Sequence, residues 1–186
     1  WREILVNSIP IAIGYLFLGL TFGILFASKG GDTATSFFIG LTTFAGAAQF
    51  LALQLLGTQM SFWGFFITVF ALNFRHIFYG ITALHDFGKW SLQKCYLIAA
   101  FTDENFGMYQ FYKGKGKANT ENLVRVFFVN HFYWVFGCTL GSFLGQNMVI
   151  NIKGLDFALT GLFVILFWEN LKSLHLLRRG VKNAHT

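Results

Sequence analysis

The sequence predicts an all-α, polytopic membrane helix bundle with about six transmembrane helices, and three observations carry that prediction. Hydrophobic residues make up 55% of the 186-residue chain and charged residues only 12%, about half of the roughly 25% usual in a soluble domain. The apolar residues gather in long blocks near the ~20 residues that a bilayer-crossing helix needs. Short connections join the blocks, and together with the two ends of the chain they hold most of the lysine and arginine, as membrane topology requires.

The first block, 9–27, has Pro10 in its first turn, where a missing N–H costs little. It is too long for the apolar core of a secretory signal, and further blocks follow it. The second block is 35–56 and the third 62–84. The fourth, 92–112, has weaker hydropathy because it carries Asp103 and Glu104. The fifth is 123–144. The sixth, 155–171, is short and bounded by Asp156 and Glu169. Continuous apolar runs, without period-two alternation, argue against a β-barrel. A basic amphipathic stretch, 172–186, closes the sequence; either it lies on the inner leaflet or the native chain continues. The opening at Trp1 suggests a trimmed N-terminus. The loops leave no room for a second domain, so 1–186 reads as one membrane-embedded transporter domain.

A net charge of +6 would suit nucleic acid only if a soluble basic face existed, and none does. With the N-terminus cytoplasmic, six crossings put Arg2, Lys113, Lys115, Lys117, Arg125, Lys172, Arg178, Arg179 and Lys182 inside, against Lys29, Lys89, Lys94 and Lys153 outside. The bias favours that orientation. Cys95 and Cys138 lie in apolar stretches and make neither a metal knot nor a disulfide framework. No metal or other cofactor is expected.

Ionisable groups inside a bilayer cost about 2.5–3.5 kcal/mol each on insertion scales, so those present need an explanation. The third block holds Asn73, Arg75, His76 and Tyr79, and the fourth holds Thr102-Asp-Glu-Asn105. Counting from the block ends at about 1.5 Å per residue brings Arg75 and Asp103 to similar depth, near the midplane. Arg75 therefore pairs with Asp103 or Glu104. One arginine cannot neutralise two acids, which leaves a carboxyl for a proton, a substrate ammonium or a partner; a mid-membrane acid is a common proton carrier. In the second block, Gly46 stands among alanines ahead of Gln49. That run suits either tight packing or a helix break whose free N–H groups bind a substrate carboxylate. Asn130 and His131 add polar groups to the fifth block. Gly19-Leu-Thr-Phe-Gly23 and Gly137-Cys-Thr-Leu-Gly141 are small-xxx-small pairs that permit close helix packing.

Four segments in order resemble a known family: Ile9-Pro-Ile-Ala-Ile-Gly-Tyr15, Phe44-Ala-Gly-Ala-Ala-Gln-Phe50, Asn73-Phe-Arg-His-Ile-Phe-Tyr-Gly80 and Phe101-Thr-Asp-Glu-Asn-Phe106. They are similar to the AzlC-like permeases of bacterial inner membranes, named for azaleucine resistance. The resemblance implies a large permease subunit that works with a small AzlD-like membrane subunit. It also implies proton-coupled export of branched-chain or similar small apolar amino acids. Family members usually continue into further apolar sequence.

On this reading Gly46, Gln49, Asn73, Arg75 and Asp103 bind substrate, while Glu104, Asp103 and His76 handle the proton. An enzyme is not expected, because no HExxH or comparable set accompanies His76, Asp103 and Glu104. No P-loop supports ATP drive. The alternatives are a non-transport subunit, structural or cofactor-bearing with His76 and His131 as haem ligands, or a transporter of another small solute.

Overall fold

The computed structural model describes residues 1–56, 58 and 60–148, with Gly154, Phe157, Thr160, Gly161 and Val164 beyond them. The chain divides into a unit Trp1–Asn151 and a second unit Ile152–Thr186. The sixth apolar block and the basic tail, isolated positions apart, lie outside the described residues. The described part of the first unit is helical throughout: α1 (Arg2–Ser28), α2 (Thr33–Thr42), α3 (Gly46–Leu55), α4 (Phe62–Asn73), α5 (Arg75–Ala83), α6 (Leu92–Ala99), α7 (Asp103–Gly114) and α8 (Thr120–Asn147). The all-α membrane class stands.

Helices α1 and α8 are each long and apolar enough to cross a membrane, and they run parallel in close contact. The two small-xxx-small pairs face each other. A Cβ on Gly19 would lie 3.0 Å from the Cys138 amide nitrogen, and one on Gly23 would lie 2.2 Å from the Cys138 carbonyl oxygen. Only backbone stands in the way, and it cannot swing aside as a side chain can. Gly23→Ala is therefore expected to exceed the usual 1–3 kcal/mol of overpacking and to lower the thermal unfolding midpoint sharply. Gly14→Ala, which would meet nothing within 4 Å, should leave it unchanged.

The second and fourth apolar blocks do not form continuous spans. Each breaks into two half-helices and turns back. Ser36 Oγ donates to the Cys138 carbonyl at 3.0 Å, and Phe44 stacks on His131 at 4.3 Å, so α2 descends along α8 to mid-depth. Phe44 then packs on Tyr15, whereas Phe50 packs on Phe22, nearer the C-terminal end of α1. Had α3 continued onward, Phe50 would lie beyond Tyr15 on the other side. The chain instead returns to the face it left. The fourth block mirrors this from the opposite face: Glu104 meets Tyr15 and Tyr112 meets Asn7, so α7 leads back to the N-terminal face where α6 began.

The third block, α4 and α5, bends by 43° at its break. It runs from the far face to the N-terminal face, opposite to the direction that six crossings require. Tyr79 stacks on Phe106 at 4.4 Å, and Lys113 pairs with Asp86 at 2.6 Å. The Lys113 ammonium and the Tyr109 hydroxyl hold the Asp86 carboxyl below its ordinary range. The connections around Asp86 and Lys113 thus share one face. Lys89 and Lys94, expected on the opposite side from Lys113, join it there; Lys94 caps the end of α5 by donating to the carbonyls of Leu84 and Gly88.

Broken backbone at mid-depth is tolerated only where protein satisfies it, and each tip has an amide side chain for the purpose. Gln49 Nε2 donates to the carbonyls of Ile39, at 3.2 Å, and Thr43. Asn105 Nδ2 donates to Ala100 at 2.6 Å. Exposed Val6, Ile9, Ile13 and Phe17 on α1, and Phe128, Phe132 and Phe136 on α8, form apolar stripes at helical spacing, as lipid contact requires.

Candidate functional site

The two tips, 43–45 and 100–102, meet at the middle of α1, where Tyr15 joins them. Its hydroxyl lies 2.8 Å from Thr102 Oγ1 and donates to Glu104 Oε2 at 2.8 Å. Its ring packs edge-on against Phe44 at 5.7 Å and Trp134 at 5.6 Å. Thr102 is the N-cap of α7 and accepts from the Asn105 amide at 3.3 Å, which leaves its own proton for Tyr15. Thr102, Tyr15 and Glu104 form a directed hydroxyl chain that ends on a carboxyl.

Asp103 and Glu104 begin α7, where the helix dipole favours negative charge. Being adjacent, they point about 100° apart. Asp103 Oδ2 meets Arg75 Nη2 at 2.6 Å. The contact is single-pronged, since Arg75 Nε and Asp103 Oδ1 are buried without partners. Glu104 has Tyr15 as its hydrogen-bond partner, and no cation pairs with it among the described residues.

Behind the acids, fully buried Asn105 accepts from Asn130 of α8 at 2.7 Å. His131 reaches both hairpins, with Nε2 3.3 Å from the Gly40 carbonyl and Nδ1 3.4 Å from the Tyr96 hydroxyl.

The start of α3 is differently equipped. Its N-cap, Ala45, offers no capping side chain, so the first-turn N–H groups have no side-chain acceptor. Trp134 lies against this turn; a Cβ on Gly46 would come within 2.8 Å of its ring. Among the described residues Trp134 Nε1, which is buried, has no partner, and neither does buried Gln49 Oε1. The two carbonyls that accept from Gln49 Nε2 fix the orientation of that amide, because a flip would set oxygen against oxygen. Unanswered donors gathered at a helix N-terminus make an anion site.

Of the residues singled out from sequence, Gly46, Gln49, Arg75, Asp103 and Glu104 gather around the two tips. Asn73 and His76 make their hydrogen bonds within the third block. Asn73 Nδ2 donates to the Val69 carbonyl at 2.9 Å, and His76 Nδ1 lies 3.0 Å from the Asn73 carbonyl. The bend between α4 and α5 loosens the backbone ladder, and these two side chains engage the carbonyls there. Tyr15, which closes the first of the four family segments, and Trp134 are not among the expected site residues, because an aromatic in an apolar run does not by itself point to chemistry. Thr102 and Asn105 lie inside the fourth family segment, but their service to the backbone depends on the break between α6 and α7.

Half-helices that meet at mid-depth between crossing helices, with an ion pair and an unpaired acid at the junction, define an α-helical membrane protein of the transport type. The chain belongs to the AzlC protein family, which matches residues 10–148. It is 36% identical over 173 residues to the branched-chain amino acid transport protein AzlC of Bacillus subtilis (strain 168), covering 91% of this chain and 67% of that one. An uncharacterized membrane protein of Helicobacter pylori (strain J99) is 35% identical over 92% of this chain and 76% of its own. The inner membrane protein YgaZ of Escherichia coli (strain K12) is 28% identical over 89% and 69%. No solved structure matches.

Proposed function

We propose that this chain is the large permease subunit of a secondary transporter exporting branched-chain or similar small apolar amino acids across the bacterial inner membrane. Protons drive it, and a small AzlD-like membrane subunit works with it. The N-terminus is cytoplasmic. Among the described residues, Arg2, Lys89, Lys94, Lys113, Lys115, Lys117 and Arg125 lie on the face shared with Trp1, against Lys29 on the far face, and positive charge favours the cytoplasm.

The observation that carries this reading is Tyr15, which touches both hairpin tips at once. The substrate carboxylate sits at the uncapped start of α3, between the Gly46 turn and the Trp134 N–H. Glu104 loads a proton from the far side and releases it to the cytoplasm. As a carboxylate it draws the Tyr15 hydroxyl; once protonated it releases that hold, and the ring against Phe44 carries the change to the substrate tip. The Arg75–Asp103 pair anchors the second tip to the bend of α5 throughout. The chain makes the test simple: reconstituted with and without the small subunit, it should exchange labelled leucine across proteoliposomes in counterflow. Absence of exchange with either preparation would remove the proposal.

A further inference from the structure

On the far-face side of the first tip, α1, α2, α3 and α4 line a half-open pocket of about 380 Å³, within the roughly 300–1,000 Å³ of small-ligand pockets. We infer that this cavity is the side-chain subsite for a branched aliphatic amino acid, with Gln49 at its polar end. The inference rests on reading the chain as an amino-acid transporter.

The lining shows why such a ligand fits. Phe22, Ile39, Leu53, Phe65 and Val69 supply aliphatic and aromatic walls from four helices, and among the described residues no charged side chain lines the cavity. Lysine, arginine, aspartate and glutamate would have to strip their charge of water there without a partner, at a large cost. Among the described residues the polar side chains of the lining, Thr43 and Gln49, stand at the tip. Gln49 is 3% exposed, and its Oε1 accepts no hydrogen bond. A buried acceptor without a donor is costly, and a substrate ammonium would satisfy it. The uncapped first turn of α3 begins beside it, at the same end of the cavity. An α-amino acid has the matching shape, with both charges at one end and an apolar branch at the other.

The wall also tells which substitutions alter selectivity. Ala52 lines the cavity, so Ala52→Phe would fill it, whereas Leu53→Ala would enlarge it. One methylene in an apolar pocket shifts selectivity by about 10–200-fold. Counterflow of labelled leucine, alanine and phenylalanine in proteoliposomes, with the small subunit present, reads the change. Ala52→Phe should lower the leucine-to-alanine ratio tenfold or more, and Leu53→Ala should raise the phenylalanine-to-leucine ratio. Either variant alone decides the matter if the other fails to fold. Unchanged ratios with exchange persisting would overturn the subsite, leave the cavity to lipid acyl chains and keep the transport reading. Loss of all exchange in the unsubstituted protein would remove both.

Discussion

Glu104→Gln is expected to abolish proton-driven export while leaving leucine exchange running. Glutamine keeps the size of the side chain and an oxygen that can accept from Tyr15, so the junction of the two tips survives. What disappears is the group that binds and releases a proton. Net export against a gradient needs that cycle; exchange of labelled for unlabelled substrate moves no net proton and does not. Driven accumulation should fall to the level seen with a protonophore, and counterflow should persist. Asp103→Asn should behave differently, because it strands the Arg75 cation and weakens folding as well. Full driven export by both variants would mean that neither acid couples the proton.

The second large effect concerns the pair itself. Arg75→Ala leaves Asp103 charged near mid-depth with its partner gone. Breaking a buried pair costs about 3–5 kcal/mol. Here 28% of the arginine side chain and 23% of the aspartate remain accessible, so the lower end applies. The unfolding midpoint of the purified protein should drop sharply and transport with it. Arg75→Ala combined with Asp103→Asn removes both charges and should recover much of the loss. Losses that simply add in the double variant would show that the two residues are not coupled.

The class of protein and the depth of its charges were legible in the sequence, but the path of the chain was not. Hydropathy reports how apolar a block is and says nothing of direction. Blocks 35–56 and 92–112 are each long enough for one crossing helix or for two half-helices. Arg75 and Asp103 could still be matched, because a residue at the middle of a block stays at the middle whichever way the block runs. Six crossings set Lys89 and Lys94 opposite Lys113, whereas the structure joins them to it, since their face depends on how many crossings precede them. Hints of the breaks existed: Gly46 stands among alanines, and Thr102 precedes two acids, as an N-cap does. Both tips carry a phenylalanine at the same place, Phe44 and Phe101, with an amide side chain soon after. That likeness takes on meaning only once the two segments are seen to enter from opposite faces. Tyr15 stayed hidden because its role depends on partners drawn from two hairpins.

Two hairpins that enter from opposite faces and meet at Tyr15 put Lys89 on the same face as Lys115, and thiol labelling reads that face. Cys95 is exposed and Cys138 buried, so a Cys95→Ser background suits single-cysteine labelling. Cysteines replacing Lys89, Lys115 or Lys29 would be treated with a membrane-impermeant thiol reagent in intact cells and in inverted vesicles. Positions 89 and 115 are expected to react only in inverted vesicles and position 29 only in intact cells. Reaction of position 89 together with position 29, and apart from position 115, would mean that 92–112 crosses the bilayer, and would contradict the paired hairpins.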